Sequence, residues 1–96
     1  MRQNTESSLK DALQAFLQSK TIRAKYNEIR VRSVWEACMG KITARYTTQI
    51  NLRGTVLHLT VSSAPLRQDL LLRKNEIVQL LNEKLEEIVV QSIEIF

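Results

Sequence analysis

The spacing of apolar positions changes along this chain and predicts helices, then a pair of strands, then helices again. From Ser7 to Met39 apolar residues recur every three or four positions, which is typical of amphipathic helices. From Tyr46 to Val61 they alternate with polar residues, which is typical of half-buried strands. Helical spacing then returns, and the run 88–96, rich in β-branched residues, predicts a closing strand.

The first half predicts two helices separated by a break at residues 19–21. Ser7 or Ser8 can cap the first helix, after a flexible polar lead-in over residues 1–6. The second runs from about Ile22 to Met39, and Thr21 can cap it. Its apolar residues form two opposite stripes, so this helix either contacts two neighbours or bends or breaks near Glu28. The first helix has the stripe Leu9, Leu13, Phe16 and Leu17; the second has Ile22, Tyr26 and Ile29 opposite Val31, Val34, Trp35 and Cys38.

The stretch from Trp35 to Gly40 joins the helical half to the strands. Trp35 is the only tryptophan, and a side chain of this kind buries on the order of 150–250 Å². We therefore expect it to anchor the helices to the sheet. Gly40 follows a helical run, where a residue without Cβ can adopt the left-handed conformation that ends a helix. A short turn over residues 41–45 then leads into the first strand.

The strand pair is divided by Gly54, which predicts a tight two-residue turn at Arg53-Gly54. This turn places apolar residues opposite one another on one face, in the pairs Leu52–Thr55, Ile50–Leu57, Thr48–Leu59 and Tyr46–Val61. The other face is mostly polar and holds His58, which we interpret as a surface residue. It offers no aromatic platform on which bases could stack.

A helix follows the strands, because Ser62-Ser63-Ala64-Pro65 suits a helix start and Pro is tolerated in a first turn. Arg73 falls inside its apolar stripe, a conflict that a kink at residues 72–75 removes, with Asn75 capping the second segment. The predicted order is α-α-β-β-α(α)-β. Since a helix separates the second and third strands, we expect the third to run parallel to one hairpin strand. Helices on one face of a three-stranded mixed sheet make an α+β fold of KH-like type, a single domain over residues 7–96.

Charge is unevenly distributed along the 96 residues. The chain has 14 basic and 10 acidic residues, a net charge of +4. Residues 1–53 carry ten basic and four acidic groups, whereas residues 54–96 carry four and six. A basic first half is compatible with a nucleic-acid partner and equally with an ordinary solvated surface.

The residues that could support catalysis are few. The chain has one His and one Cys, no metal-ligand spacing, no phosphate-binding glycine loop and no nucleophile motif. We therefore expect a protein that is not an enzyme and uses no cofactor, metal or small-molecule substrate. No apolar run approaches the ~18 residues of a membrane span, and the first residues are not signal-like, so we expect a cytoplasmic protein without a membrane partner.

Four short motifs extend over nearly the whole chain. They are Trp35-x-x-x-x-Gly40-x-Ile42, Leu52-x-Gly54-x-Val56-Leu57-x-Leu59-x-Val61-x-Ser63, Leu66-Arg67-Gln68-Asp69-Leu70 and Leu81-Asn82-x-x-Leu85…Ile93. With these motifs the chain from about Leu9 to Phe96 resembles the DciA-like family of bacterial proteins, long catalogued as a domain of unknown function. It departs from the family at Tyr46, where His is frequent, and near Leu66, where an aromatic residue is frequent.

The resemblance implies a KH-like DNA-replication accessory module that binds DNA without sequence specificity and assists loading of the replicative helicase. Basic residues of the second helix and of the 67–74 segment are the candidate DNA contacts: Arg23, Lys25, Arg30, Arg32, Arg67, Arg73 and Lys74. Two alternatives stay open, a general RNA- or ribosome-associated KH-like binder and a protein-interaction domain without nucleic-acid affinity. RNA-binding KH domains carry a Gly-x-x-Gly loop where this chain has residues 72–75, which contain no glycine.

Overall fold

The computed structural model describes residues 5–18 and 20–96, which form five helices and a three-stranded mixed sheet. In chain order the elements are α1 (Thr5–Gln18), α2 (Lys20–Met39), α3 (Lys41–Tyr46), β1 (Thr47–Arg53), β2 (Val56–Val61), α4 (Ala64–Leu72), α5 (Lys74–Leu85) and β3 (Ser92–Ile95). This order confirms the predicted α+β class. Residues 1–4 of the predicted lead-in and Ser19 of the predicted break lie outside the described residues. α2 begins at Lys20, before the predicted start at Ile22, so the backbone of Thr21 already belongs to the helix.

The β1–β2 hairpin keeps the predicted faces but has a different register. Leu52 pairs with Leu57, because the turn residues are Gly54 and Thr55 rather than Arg53 and Gly54. Gly54 has φ +62°, and the tight turns that match strand twist need a positive φ at their first central position. Glycine takes that position because an arginine would be strained there. The predicted pairs are therefore wrong by two residues, a shift that preserves the apolar face.

Tyr46 does not belong to β1, contrary to the predicted alternation. It is the last residue of α3, and a β-bulge interrupts the ladder between Thr47 and Gln49. The Tyr46 carbonyl still accepts the backbone N–H of Ser62 at 2.9 Å, so the chain enters the sheet beside the end of β2.

β3 runs parallel to β2, as the intervening helices predicted. It is shorter than the predicted strand 88–96. The reason is Asn82, whose Oδ1 accepts the N–H groups of Val89 and Val90 at 3.0 Å and whose amide donates to the Val90 carbonyl at 2.7 Å. These bonds take the backbone groups that a longer strand would offer to its neighbour.

The core lies between the inner face of the sheet and helices α2, α4 and α5. Trp35 is 2% exposed, and its indole N–H donates to Thr47 Oγ1 at 3.1 Å. The Thr47 hydroxyl in turn donates to the Thr43 carbonyl at 2.7 Å. The predicted anchor is confirmed, since Trp35 connects α2, α3 and β1. The other buried apolar residues are Val31, Leu52, Leu57, Leu59, Val61, Leu70, Ile77, Leu81, Val89, Val90 and Ile93.

α2 is continuous from Lys20 to Met39, which decides between the two predicted alternatives. It packs against both α5 and β1. The stripe that contains Val31 faces the core, whereas Tyr26 and Ile29 on the other stripe are exposed. Gly40, with φ +90°, separates α2 from α3 and confirms the predicted helix end.

Arg73 separates α4 from α5 and confirms the predicted kink. Ser63 caps α4, because its Oγ accepts the Leu66 N–H at 3.3 Å. Asn75 was the wrong residue for the second cap. One residue separates the end of α4 at Leu72 from the start of α5 at Lys74, so Arg73 occupies the N-cap position of α5 and Asn75 lies within its first turn.

Trp35→Ala should lower the free energy of unfolding by about 3–5 kcal/mol, because it leaves a cavity and removes the bond to Thr47. Chemical denaturation of the variant and of Leu72→Ala, a control at an exposed position, measures the difference. The control should stay within about 0.5 kcal/mol of the parent. A native tryptophan emission at the wavelength of solvent-exposed indole would contradict the buried position.

Candidate nucleic-acid interface

Two of the predicted basic residues on α2 converge on Glu87, beyond the end of α5. Arg30 Nη1 donates to Glu87 Oε1 at 2.6 Å, and Arg23 Nη2 lies 3.5 Å from Oε2. Arg30 also donates to the Leu85 carbonyl at 3.0 Å and stacks on the Tyr26 ring at 5.6 Å. The hydrogen bond from Arg30, assisted by both charges, holds the pKa of Glu87 below its ordinary value. Arg30 therefore attaches α2 to the C-terminal end of α5.

The other two basic residues on α2 converge on Glu28. Glu28 is 7% exposed, and its Oε1 accepts the backbone N–H of Leu52 at 2.9 Å. Lys25 Nζ and Arg32 Nη2 lie 3.1 and 3.5 Å from Oε2. Arg32 also donates to the Ile50 carbonyl at 2.8 and 3.2 Å. Glu28 and Arg32 thus bind outward-facing backbone groups of β1.

The pKa of Glu28 reflects opposing effects. Burial by itself raises the pKa, but the Leu52 hydrogen bond and the charges of Lys25 and Arg32 outweigh burial and hold it below the ordinary value of 4.5. The ionised carboxylate is therefore the form that stabilises the fold. It keeps Lys25 and Arg32 on the same side of α2.

The second predicted group consists of Arg67 on α4, Arg73 between the two helices and Lys74 on α5. Arg67 donates to the Val61 carbonyl at 2.9 Å, and Arg73 pairs with Asp69 at 3.0 Å. The Nε atoms of both arginines are buried without a hydrogen-bond partner in the described part of the chain. Lys74 forms no ion pair with any described residue. Lys74 is thus the member of this group that has neither an ion pair nor a side-chain hydrogen bond within the described residues.

The two predicted groups do not form one compact cluster. Arg30 on α2 contacts the C-terminal end of α5, whereas Lys74 is the first residue of α5. Twelve helical residues at ~1.5 Å each place these ends roughly 18 Å apart. An extended polyanion can reach both groups, whereas a single phosphate cannot.

A polar groove along β1 contains side chains that the sequence analysis did not select. It has a volume of about 390 Å³ and is lined by Arg32, Thr47, Thr48, Gln49, Ile50 and Asn51. Arg32 forms its basic wall, and threonine and amide side chains offer hydrogen bonds to phosphate or sugar. Strand alternation in the sequence was the available signal, because it placed Gln49 and Asn51 on the polar face.

The outer face of the sheet carries an aromatic pair, so the expectation of no platform there is wrong. The rings of His58 and Phe96 are stacked, with centroids 6.0 Å apart and planes at 5°. His58 Nδ1 also lies 3.5 Å from Glu94 Oε2. The sequence does not indicate this pair, because His58 and Phe96 are 38 positions apart and meet only through the pairing of β2 with β3.

The remaining titratable and apolar features concern residues 5–18 and 20–96. Cys38 is partly buried, and burial raises the pKa of its thiol against the opposing charge of Lys84, so the thiol is not activated. No group of three His, Cys, Asp or Glu side chains there suits a metal ion. None of the helices in these ranges is both long and apolar enough to span a membrane.

Glu28→Gln should reduce the free energy of unfolding at pH 7 by about 1–3 kcal/mol, because it removes a buried charge that accepts a hydrogen bond. A depressed native pKa stabilises the fold above the unfolded value and loses that contribution as pH falls through the native value. The unfolding free energies of parent and variant should therefore converge below pH 4.5. Denaturant titrations between pH 7 and pH 3 measure this, with Glu36→Gln on the exposed side of α2 as control. Parallel curves for Glu28→Gln would refute the assignment.

Comparison with known proteins relates the chain to a protein family. A family model described as "Dna[CI] antecedent, DciA" matches residues 8–95, which include part of α1 and every later element. No curated protein and no solved structure matches. The matched range contains the buried Trp35, both glycines with positive φ and all seven candidate basic residues. The chain therefore belongs to the DciA family.

Proposed function

We propose that this protein is a non-enzymatic accessory module of DNA replication that binds DNA and the replicative helicase and assists helicase loading. The family match over residues 8–95 carries the proposal, because membership in the DciA family implies a replication role of the helicase-loader type. The net charge of +4 and the basic side chains exposed along α2 support a polyanionic partner. In the cell the proposed site of action is the cytoplasm.

The candidate basic residues have different roles in this proposal. Lys25, with 65% of its side chain exposed, is available to phosphates, as are Arg23 and Arg32. Arg30 is only 23% exposed and is held by Glu87 and Leu85, so it positions its neighbours. On α4 and α5, Lys74 contacts phosphate, whereas Arg67 and Arg73 are tied to the protein by hydrogen bonds. The polar groove beside Arg32 gives the strand a path along β1.

DNA affinity should fall steeply with salt, because these contacts are made to phosphates. Lys74→Gln should weaken binding several-fold at low salt. It should also reduce the slope of log K against log salt by about 0.7–0.9, the value for one lost phosphate contact. Titration of single-stranded and duplex DNA at several salt concentrations measures both effects. Lys84→Gln, the same change near the other end of α5, is the control and should match the parent.

An affinity independent of salt would overturn the electrostatic account, and an unchanged slope for Lys74→Gln would remove this residue from the site. Arg73 is unsuitable for the same test, since its Nε is buried and it forms the α4–α5 junction. A charge change at Arg73 would alter folding as well as DNA binding, so the two effects on affinity would not be separated.

Helicase binding should persist in Lys74→Gln, because the proposed helicase contact does not use phosphate-type charges. Pull-down of purified replicative helicase by parent and variant measures this. Loss of helicase and DNA binding together would indicate one shared surface. In native extract, recovery of ribosomal components without the helicase would favour the RNA-binding alternative.

A further inference from the structure

We infer that the outer face of the sheet holds an unpaired DNA base against the ring of Phe96. This inference rests on the proposed function and adds a base contact to the phosphate contacts of α2 and Lys74. It starts from the His58–Phe96 ring pair, which those contacts do not use.

The position of Phe96 is fixed by the sheet. Its N–H donates to the Leu59 carbonyl at 2.8 Å, and its carbonyl accepts the Val61 N–H at 2.8 Å. These two bonds place Phe96 opposite Thr60 on the outer face. Phe96 is 57% exposed, although its N–H and its carbonyl are both bonded to β2. A held aromatic ring with a free surface is the element that proteins use to stack bases of single strands.

His58 completes the platform. Its ring lies parallel to that of Phe96, and most of the His58 side chain is covered, with 23% exposed. Parallel rings in offset contact restrict each other's rotation. Phe96 thus presents a defined plane. When a base stacks on this plane, the Phe96 side chain loses little additional rotational freedom.

The polar groups around the rings suit a base better than a phosphate. Asn51, His58 and Glu94 form one cross-strand row, and Gln49 and Thr60 begin the next, which Phe96 completes. The Glu94 carboxylate repels a phosphate but can accept a hydrogen bond from the N–H groups on the edge of a base. The amides of Asn51 and Gln49 can both donate and accept.

A positive group for the neighbouring phosphate lies on the same face. Arg53 is exposed and falls on the outer side of β1, four residues along the strand from Gln49. At ~3.3 Å per residue this separation is roughly 13 Å. The face therefore has an aromatic plane and base-edge contacts at one end and a cation at the other. This arrangement fits an unpaired strand, whose bases are accessible, better than a duplex.

The test compares a short single strand with the same strand carrying abasic sites, which keeps the phosphates and removes the bases. We expect the parent to bind the normal strand more tightly than the abasic one. Phe96→Ala should weaken binding of the normal strand about 5- to 160-fold, the range for loss of one stacked base. Binding of the abasic strand should not change.

Phe16→Ala is the matched control, because Phe16 is 56% exposed and lies on α1, which packs against α2. It should bind both strands like the parent. Phe96→Tyr keeps the ring and should retain affinity, whereas Phe96→Leu keeps the apolar bulk and should not. Thermal unfolding of each variant separates lost stacking from lost folding.

The outcomes distinguish this inference from the proposed function. If the parent binds no DNA at low salt, the proposed function fails. If it binds normal and abasic strands equally, phosphate binding stands and the stacking site is wrong. Equal affinity of Phe96→Leu and Phe96→Tyr for the normal strand would also overturn the stacking site.

Discussion

The attachment of α2 to β1 is the constraint on which the rest of this structure depends. Trp35 fills the space between α2 and the sheet, and its indole N–H reaches Thr47 at the start of β1. Two turns earlier on the helix, the Glu28 carboxylate receives the N–H of Leu52. An apolar and a polar contact thus fix α2 along the strand. Glu28 and its neighbour Arg32 also satisfy outward-facing backbone groups of β1 that would otherwise invite pairing with another strand.

The same attachment determines where the positive charges lie. Glu28 is buried and ionised, so it draws Lys25 and Arg32 toward β1. Glu87 likewise holds Arg23 and Arg30, in this case near the C-terminal end of α5. These cations therefore stabilise the fold and shape the surface at once. Arg23, Lys25 and Arg32 keep half or more of their side chains exposed, so in the proposed function they remain available to phosphate.

Under the proposed function, the protein offers DNA two chemically different surfaces. The helical side presents cations held by carboxylates, which suit phosphates and carry no sequence information. The outer sheet face presents the His58–Phe96 pair beside Glu94, which suits an unpaired base. β1 links them, because Arg32 binds its edge and Gln49 and Asn51 project from its outer face. Under the proposed function, both surfaces contact one unpaired strand.

The sequence by itself determined the elements and their faces, since helix and strand spacing, glycine turns and a serine cap act between near neighbours. It thereby placed Trp35 in the core, the kink at Arg73 and a parallel third strand. Tertiary structure alone decided the hairpin register, because two placements of Gly54 satisfied the same alternation and only the backbone φ distinguished them. It also decided that Arg30 binds Leu85 and that Phe96 meets His58. Those contacts join residues 55 and 38 positions apart, and no local pattern records a partner brought close only by packing of the whole chain.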